Sequence, residues 1–202
     1  MGIARAERRA EVLFRRHKGV LRTSEALALG VHPRTLYRLR DSGRLVSVSR
    51  GVYRLAALPE PSYPDLVVVS TRVPRAVVCL ISALSFHDIT TQVPHEVQIA
   101  LPRAARSPRL DYPPVRVFRL TGRAYSEGIE THSVEGVAVR VYCPEKTVAD
   151  CFKFRRKIGL DVAVEALRLA RERKRVNPRS LLHYARVCRV ERVMMPYLEA
   201  LL

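Results

Sequence analysis

The chain has 202 residues, 36 of them Lys or Arg and 19 Asp or Glu, for a formal charge of +17. Apolar residues make up 48% of it, enough to build a core, which excludes a disordered basic tail. The longest apolar run, AVVCLISALSF at 76–86, is too short to span a bilayer, and the charged start MGIARAERRAE lacks the apolar region of a secretory signal. Such a positive excess asks for a polyanionic partner, nucleic acid before an anionic membrane surface.

Residues 1–58 hold 13 Arg and Lys against 4 Asp and Glu, whereas 59–202 hold 23 against 15. Charge is therefore more than twice as dense in the first segment. Residues 4–17 read as a helix, with Ala6, Ala10, Leu13 and Phe14 on one face. Arg5, Arg8, Arg9, Arg15 and Arg16 occupy the rest, and Gly19 ends it. TSEALALGVHPRTLYRLRDSG, 23–43, reads as two short helices around a tight turn. Thr23 caps the first, Gly30 supplies a left-handed turn and Pro33 opens the second. Leu36 and Leu39 point inward, leaving Arg34, Thr35, Tyr37 and Arg38 on the opposite side. That pattern is a DNA-binding helix-turn-helix, in which Arg reads guanine edges and Thr a base edge or thymine methyl. RLVSVSRGVYRLA, 44–56, supplies a wing of two short strands with Arg50 at its tip. The expected DNA contacts are Arg34, Thr35, Tyr37 and Arg38 in the major groove and Arg50 at phosphate or minor groove, supported by Arg15 and Arg16. A winged helix can instead serve protein contacts alone, but these arginines gather on the surface that would face a groove.

PEPSYP, 59–64, cannot continue a helix or lie in a central strand, so it reads as a stiff linker. The expected domains are a winged helix-turn-helix at 1–58, a proline-rich linker at 59–65 and a second domain at 66–202. In the latter, 66–70 (LVVVS) reads as a strand and 77–86 as a buried helix. Residues 96–101, 115–120 and 137–142 alternate as strands, and 129–134 adds another. Pro144 opens a helix with Val148, Cys151 and Phe152 on one face. Leu160, Ala163, Val164, Leu167 and Ala170 stripe the next, which ends in the solvated cations of RERKR, 171–175. Asn177-Pro178 starts another helix, and Val190, Met194, Tyr197, Leu198 and Leu201 line the last. The fold class is α+β: an N-terminal winged helix-turn-helix, then an α+β domain with a mostly antiparallel sheet and C-terminal helices.

Cys79, Cys143, Cys151 and Cys188 form no C-x-x-C pair and sit among apolar residues, as buried reduced thiols do. The histidines lack zinc-site spacing, and no cofactor or metal is expected. There is no phosphate-binding loop, nucleophile elbow or HExxH to suggest an enzyme. Asp88, Glu96 and Gln98 faintly resemble a metal-dependent nuclease set, with Glu96 and Gln98 on one side of a strand, but the usual Lys is missing. Glu172 and Lys174 cannot supply it from a helix, where residues two apart point away from each other. RNA modules would want more aromatic platforms than the 6% aromatic content here, and no basic amphipathic helix carries membrane anchors.

Three further segments carry a family resemblance. LISALSFHDITTQVPHEVQIALP (80–102), SPRLDYPPVRVFRL (107–120) and VYCPEKTVADCFKFRRKIGLDVAVEALRLA (141–170) resemble the AbiEi-type antitoxins of type IV, abortive-infection toxin–antitoxin systems. The SRGVYRLA ending of the wing resembles that family too, whereas Cys143 stands where a family member would carry Ser. The resemblance implies a non-enzymatic, cytoplasmic, nucleoid-associated autorepressor that binds repeats in its own promoter on double-stranded DNA. It implies an antitoxin acting against a nucleotidyltransferase-like toxin, without requiring a direct complex. The expected protein is a monomer in solution that can bind repeated sites cooperatively, with no membrane partner. With Val148, Cys151 and Phe152 packed inward, its antitoxin surface would use the exposed cations in and after KTVADCFK, Lys146, Lys153 and Arg156, or lie elsewhere on that domain. The competing functions are a metal-dependent nuclease-like protein and a winged-helix regulator without antitoxin activity.

Overall fold

A computed structural model describes residues 2–58, 62–134 and 136–201, and the chain gathers into two compact units. The first comprises residues 1–74 with 110–113 and 133–139; the second comprises 75–109, 114–132 and 140–202. The units divide at Pro74 and Arg75, whereas the proline segment suggested 59–65. Within that segment Pro59, Glu60 and Pro61 lie outside the described residues.

The first unit runs α1 (Gly2–Arg16), β1 (Val20–Arg22), α2 (Thr23–Ala28), α3 (Pro33–Asp41), β2 (Leu45–Ser49), β3 (Val52–Leu55) and α4 (Pro64–Arg72). Its antiparallel sheet has the order β1-β3-β2, so this is the winged helix that the sequence suggested. Strand β1 was not foreseen: three residues are too few to show alternation. Helix α2 begins at Thr23, but the cap lies one residue earlier, where the Arg22 N–H donates to the Glu25 carboxylate at 2.8 Å. Gly30 has φ +84, the left-handed turn foreseen. Phe14, Ala26, Leu36 and Leu39 are fully buried together with Ala10, Leu21, Leu45, Tyr53 and Leu55. Each large apolar side chain buried in this way contributes about 1.5–3 kcal/mol.

Helix α4 corrects the strand expected at 66–70. Pro64 fixes φ for a first helical turn and Asp65 complements its N-terminus. Leu66, Val67, Val68 and Val69 are all buried, and burial overrides the weak β preference of a valine run.

The second unit follows as β4 (Val77–Val78), α5 (Leu80–Phe86), β5 (Val97–Pro102), β6 (Val115–Leu120), α6 (Arg123–Ser126), β7 (Ile129–Val134) and β8 (Val137–Tyr142), with the 133–139 tip of the β7–β8 hairpin counted in the first unit. Then come α7 (Pro144–Lys153), α8 (Arg155–Ile158), α9 (Leu160–Glu172), α10 (Pro178–Val187) and α11 (Glu191–Leu201). The helix expected at 77–86 is a short strand and a shorter helix, broken at Cys79 and Leu80. The Gln98 side-chain oxygen accepts the Ile81 N–H at 3.0 Å, and the Gln98 N–H donates to the Ser82 hydroxyl at 2.9 Å. These bonds dock the helix start onto β5.

The five-stranded sheet has the order β6-β5-β4-β8-β7 and is mixed, not mostly antiparallel. β4 runs antiparallel to β5, but β5 pairs parallel with β6 and β4 parallel with β8. The connection from Pro102 to Val115 carries three further prolines and no hairpin turn, so it crosses over instead of doubling back. The core of this unit joins Val77, Leu84, Phe118, Tyr142 and Phe152 to the inner faces of α9, α10 and α11. Asn177 caps α10 by accepting the Arg179 and Ser180 N–H groups at 2.9 and 3.3 Å. All four cysteines are free and buried.

Candidate nucleic-acid interface

Helix α3 is positioned from both sides of its sequence. Pro33 presets its first turn, and the His32 Nδ1 accepts the Arg34 N–H at 3.2 Å. Leu36 and Leu39, both fully buried, fix its rotation about its axis. With about 100° per residue, that rotation turns Arg34, Arg38 and Asp41 directly outward, with Tyr37 beside them. Arg34, Tyr37 and Arg38 are exposed as expected. Thr35 is half-buried and lies on the flank next to α1. It is not on the free face, because it falls between the outward and the buried directions.

Two acids on α1 organise the cations near α3. Glu7 lies 3.6 Å from the Arg38 guanidinium and 2.9 Å from Arg44, and Glu11 accepts from Arg44 Nε at 2.7 Å. Arg44 thus ties α1 to the start of β2, while the long contact to Arg38 leaves that side chain about half exposed. Arg40 stacks over the Tyr37 ring with its guanidinium carbon 5.1 Å from the ring centre, and Asp41 pairs with Arg40 at 2.7 Å. The outward acid of α3 is therefore engaged by a neighbouring cation.

The N-terminal half of α1 brings two cations to α3 that the sequence reading did not place there. Arg5, Ala6, Arg9, Ala10 and Leu13 line a groove of about 330 Å³ with Gly30, Val31, His32 and Thr35. Arg5 and Arg9 lie beside the start of α3, with no hydrogen bond or ion pair among the described residues. Arg15 and Arg16, the pair expected to help, are exposed at the other end of α1. Ten residues of helix put Arg15 about 15 Å along the axis from Arg5. The spacing of Arg5 and Arg9 beside the Ala6–Ala10 stripe was visible in the sequence, but which end of α1 meets α3 is a tertiary fact.

The wing is braced at its tip. Arg50 is exposed, and Gly51 takes φ +73 in the turn. The Gly51 carbonyl accepts the Thr23 N–H at 2.9 Å, and the Arg50 carbonyl accepts from Arg72 at 2.6 Å. The Arg50 side chain is thus presented from a fixed backbone.

The cations expected to form an antitoxin surface separate. Arg156 is exposed and Lys153 half-buried, its Nζ donating to the Cys188 carbonyl at 3.4 Å. Lys146 is fully buried, which corrects its placement on a surface. It pairs with the buried Asp150 one turn on, and its Nζ lies 4.1 Å from the Tyr142 ring centre. The Cys188 thiol donates to Asp150 at 3.2 Å, and burial pushes that thiol up to about 12. Burial also lifts the Asp150 carboxyl above its usual range, against the pull of Lys146.

The nuclease-like set does not assemble. Gln98 is buried and spends its amide on the Ile81 N–H and on Glu96, while the exposed Asp88 pairs with Arg173 at 2.6 Å. Among the described residues no group of His, Cys, Asp or Glu could hold a metal ion. No described helix is long and apolar enough to cross a membrane.

No curated protein matches the chain in sequence. A solved structure described as "Crystal structure of RV2827C protein from Mycobacterium tuberculosis" is similar in fold, with a TM-score of 0.61 at 19% identity, covering 89% of this chain and 70% of that one. A family model described as "Transcriptional regulator, AbiEi antitoxin" matches residues 8–56. That stretch holds all of α2, α3 and the wing, so the match falls on the winged helix, where SRGVYRLA carries part of the resemblance read from the sequence, and not on the segments 80–102, 107–120 and 141–170: residues 8–56 are similar to AbiEi-antitoxin-type transcriptional regulators.

Proposed function

We propose that the protein is a DNA-binding autorepressor and the antitoxin of a type IV toxin–antitoxin system, counteracting a nucleotidyltransferase-like toxin. The observation that carries the reading is the outward face of α3, where Arg34 and Arg38 project beside Tyr37 from a helix locked by Leu36 and Leu39. In the major groove such arginines can bond guanine O6 and N7 in pairs. The braced Arg50 reaches phosphate or minor groove beyond one end, and Arg5 and Arg9 reach phosphate beside the helix start. Thr35 then serves the α1 flank, and Arg15 and Arg16 contribute only to the general positive field.

The second unit carries the antitoxin activity in this reading. With Lys146 buried, Lys153 and Arg156 remain as the candidate cations of its KTVADCFK region. The protein acts in the cytoplasm on double-stranded DNA upstream of its own reading frame, as a monomer on repeated sites, and needs no cofactor. It acts as a regulator, not as an enzyme. The test pairs a promoter–reporter assay with toxin co-expression. Wild type represses and restores growth, and the Arg34→Ala/Arg38→Ala variant restores growth without repressing. Growth rescue lost together with repression would make repression the whole antitoxin effect.

A further inference from the structure

The second unit holds a concave cluster of cations that promoter recognition does not use. The residues after β6, namely Thr121, Gly122, Arg123 and Ala124, face Lys153 at the end of α7 and Arg186, Val187 and Arg189 at the end of α10. Together they bound a cavity of about 430 Å³, within the range of small-molecule sites, roughly 300–1,000 Å³.

Four cations converge there, and only two are neutralised. Arg123 pairs with Glu127, whose carboxyl Arg123 and then His183 hold below the usual range, so that acid stays ionised. Arg186 pairs with Glu191 at 2.8 Å. Lys153 has a backbone carbonyl as its partner and no acid at ion-pair distance. Arg189 is exposed, and its side chain makes no hydrogen bond or ion pair among the described residues. The cavity therefore presents two positive charges, Lys153 and Arg189, that have no acid at ion-pair distance, with Asp150 acting on Lys153 only from further off. Gathering like charges in a concavity is unfavourable unless an anion joins them, and the low-dielectric walls concentrate the field on whatever enters.

We propose that this cavity binds the phosphate monoester of a small organic ligand. A phosphate monoester carries about −1.5 to −2 charges at neutral pH and three acceptor oxygens, which matches Lys153 and Arg189 in a cavity that Thr121 also lines. The space exceeds that of a bare phosphate, and Ala124 and Val187 offer apolar wall to the organic part. A nucleic-acid backbone fits less well, because a phosphodiester brings one charge per phosphate and needs an open track, not a pocket.

The experiment is calorimetric titration of the full chain at low ionic strength with phenyl phosphate, phenol, inorganic phosphate and a DNA strand with hydroxyl ends. The expected result is one-to-one binding of phenyl phosphate, weaker binding of inorganic phosphate and none of phenol. Arg189→Ala weakens phenyl phosphate at least tenfold, Arg189→Lys restores most of it, and Arg5→Ala/Arg9→Ala leaves it unchanged. Absence of binding, equal binding of phenol, indifference to Arg189→Ala or loss in the Arg5→Ala/Arg9→Ala variant would overturn the site. Equal affinity for inorganic phosphate, or displacement of phenyl phosphate by the hydroxyl-ended strand, would overturn the ligand class.

Discussion

Helices α3 and α7 both begin at a proline, run nine and ten residues, and carry basic residues among apolar ones. In α3 only Leu36 and Leu39 are buried, and its arginines stand in solvent. In α7 seven consecutive residues, from Lys146 to Phe152, are buried, and the lysine among them is satisfied internally by Asp150. The difference lies in what covers the helix. One side of α3 is left bare, whereas α5, α9, α10 and α11 all pack against α7. A cation thus reports a binding surface only where its helix has an uncovered side; under full cover it reports a partner of opposite charge.

That contrast can be broken at four points. The largest effect should come from Asp150→Ala, which strands the Lys146 charge in the core and should cost about 3–5 kcal/mol in urea unfolding of the full chain. Replacing both partners, as Lys146→Met/Asp150→Leu, should recover most of that loss, because an apolar pair removes the uncompensated charge. An Asp150→Ala cost near that of a surface change would show Lys146 to be solvated.

Next in size are the outward arginines of α3. Arg34→Ala and Arg38→Ala should each cost about 1–3 kcal/mol in operator affinity and relax specificity at one base position. Their effect on unfolding should stay within about 0.5 kcal/mol, as for other surface substitutions. Binding measured against operators varied at each position checks this, and uniform weakening on all sequences would reassign both residues to phosphate.

The ends of α1 give a smaller, graded effect. Arg5→Ala and Arg9→Ala should each lower the log–log salt slope of DNA binding by about 0.9, as should Arg50→Ala. Arg15→Ala and Arg16→Ala should leave it nearly unchanged. Titrations across a salt series measure the slopes, and the reverse ranking would mean that α1 meets the duplex with its other end.

Glu7→Gln is the most subtle. It should lower stability only slightly, since it loosens solvent-screened pairs with Arg38 and Arg44. Removing an acid beside α3 should also strengthen binding to random DNA, read as a lower midpoint in competition titrations. Weaker binding would mean that Glu7 orients Arg38 for the groove instead of competing for it.

The N-terminal fold was legible because its signals are local. Gly30 at the turn, Pro33 at the helix start, the Leu36–Leu39 spacing and the Arg50–Gly51 tip each impose geometry on a few neighbouring residues. The strands at 115–120 and 137–142 were equally readable from alternation. Where reading failed, long-range burial decided. Valines at 67–69 became helical under cover, the run at 77–86 broke where Gln98 docks the α5 start, and β6 chose a parallel neighbour through a crossover that no turn motif announces. The candidate interface divides in the same way. The exposure of Arg34, Tyr37 and Arg38 followed from the period of one helix, but Thr35 lies on a flank, and it is Arg5 and Arg9, at the opposite end of α1 from Arg15 and Arg16, that lie beside the start of α3.

The central claim is that the outward face of α3 reads the promoter of this chain's own operon. The most direct measurement is a mobility-shift titration of the fragment upstream of the reading frame, in excess random DNA, with wild type and Arg34→Ala/Arg38→Ala side by side. The account predicts a shift by wild type that survives the competitor, and loss of the specific shift in the double variant while weak salt-sensitive binding persists. A specific shift that is equal for both proteins, or no specific shift by wild type, would contradict it.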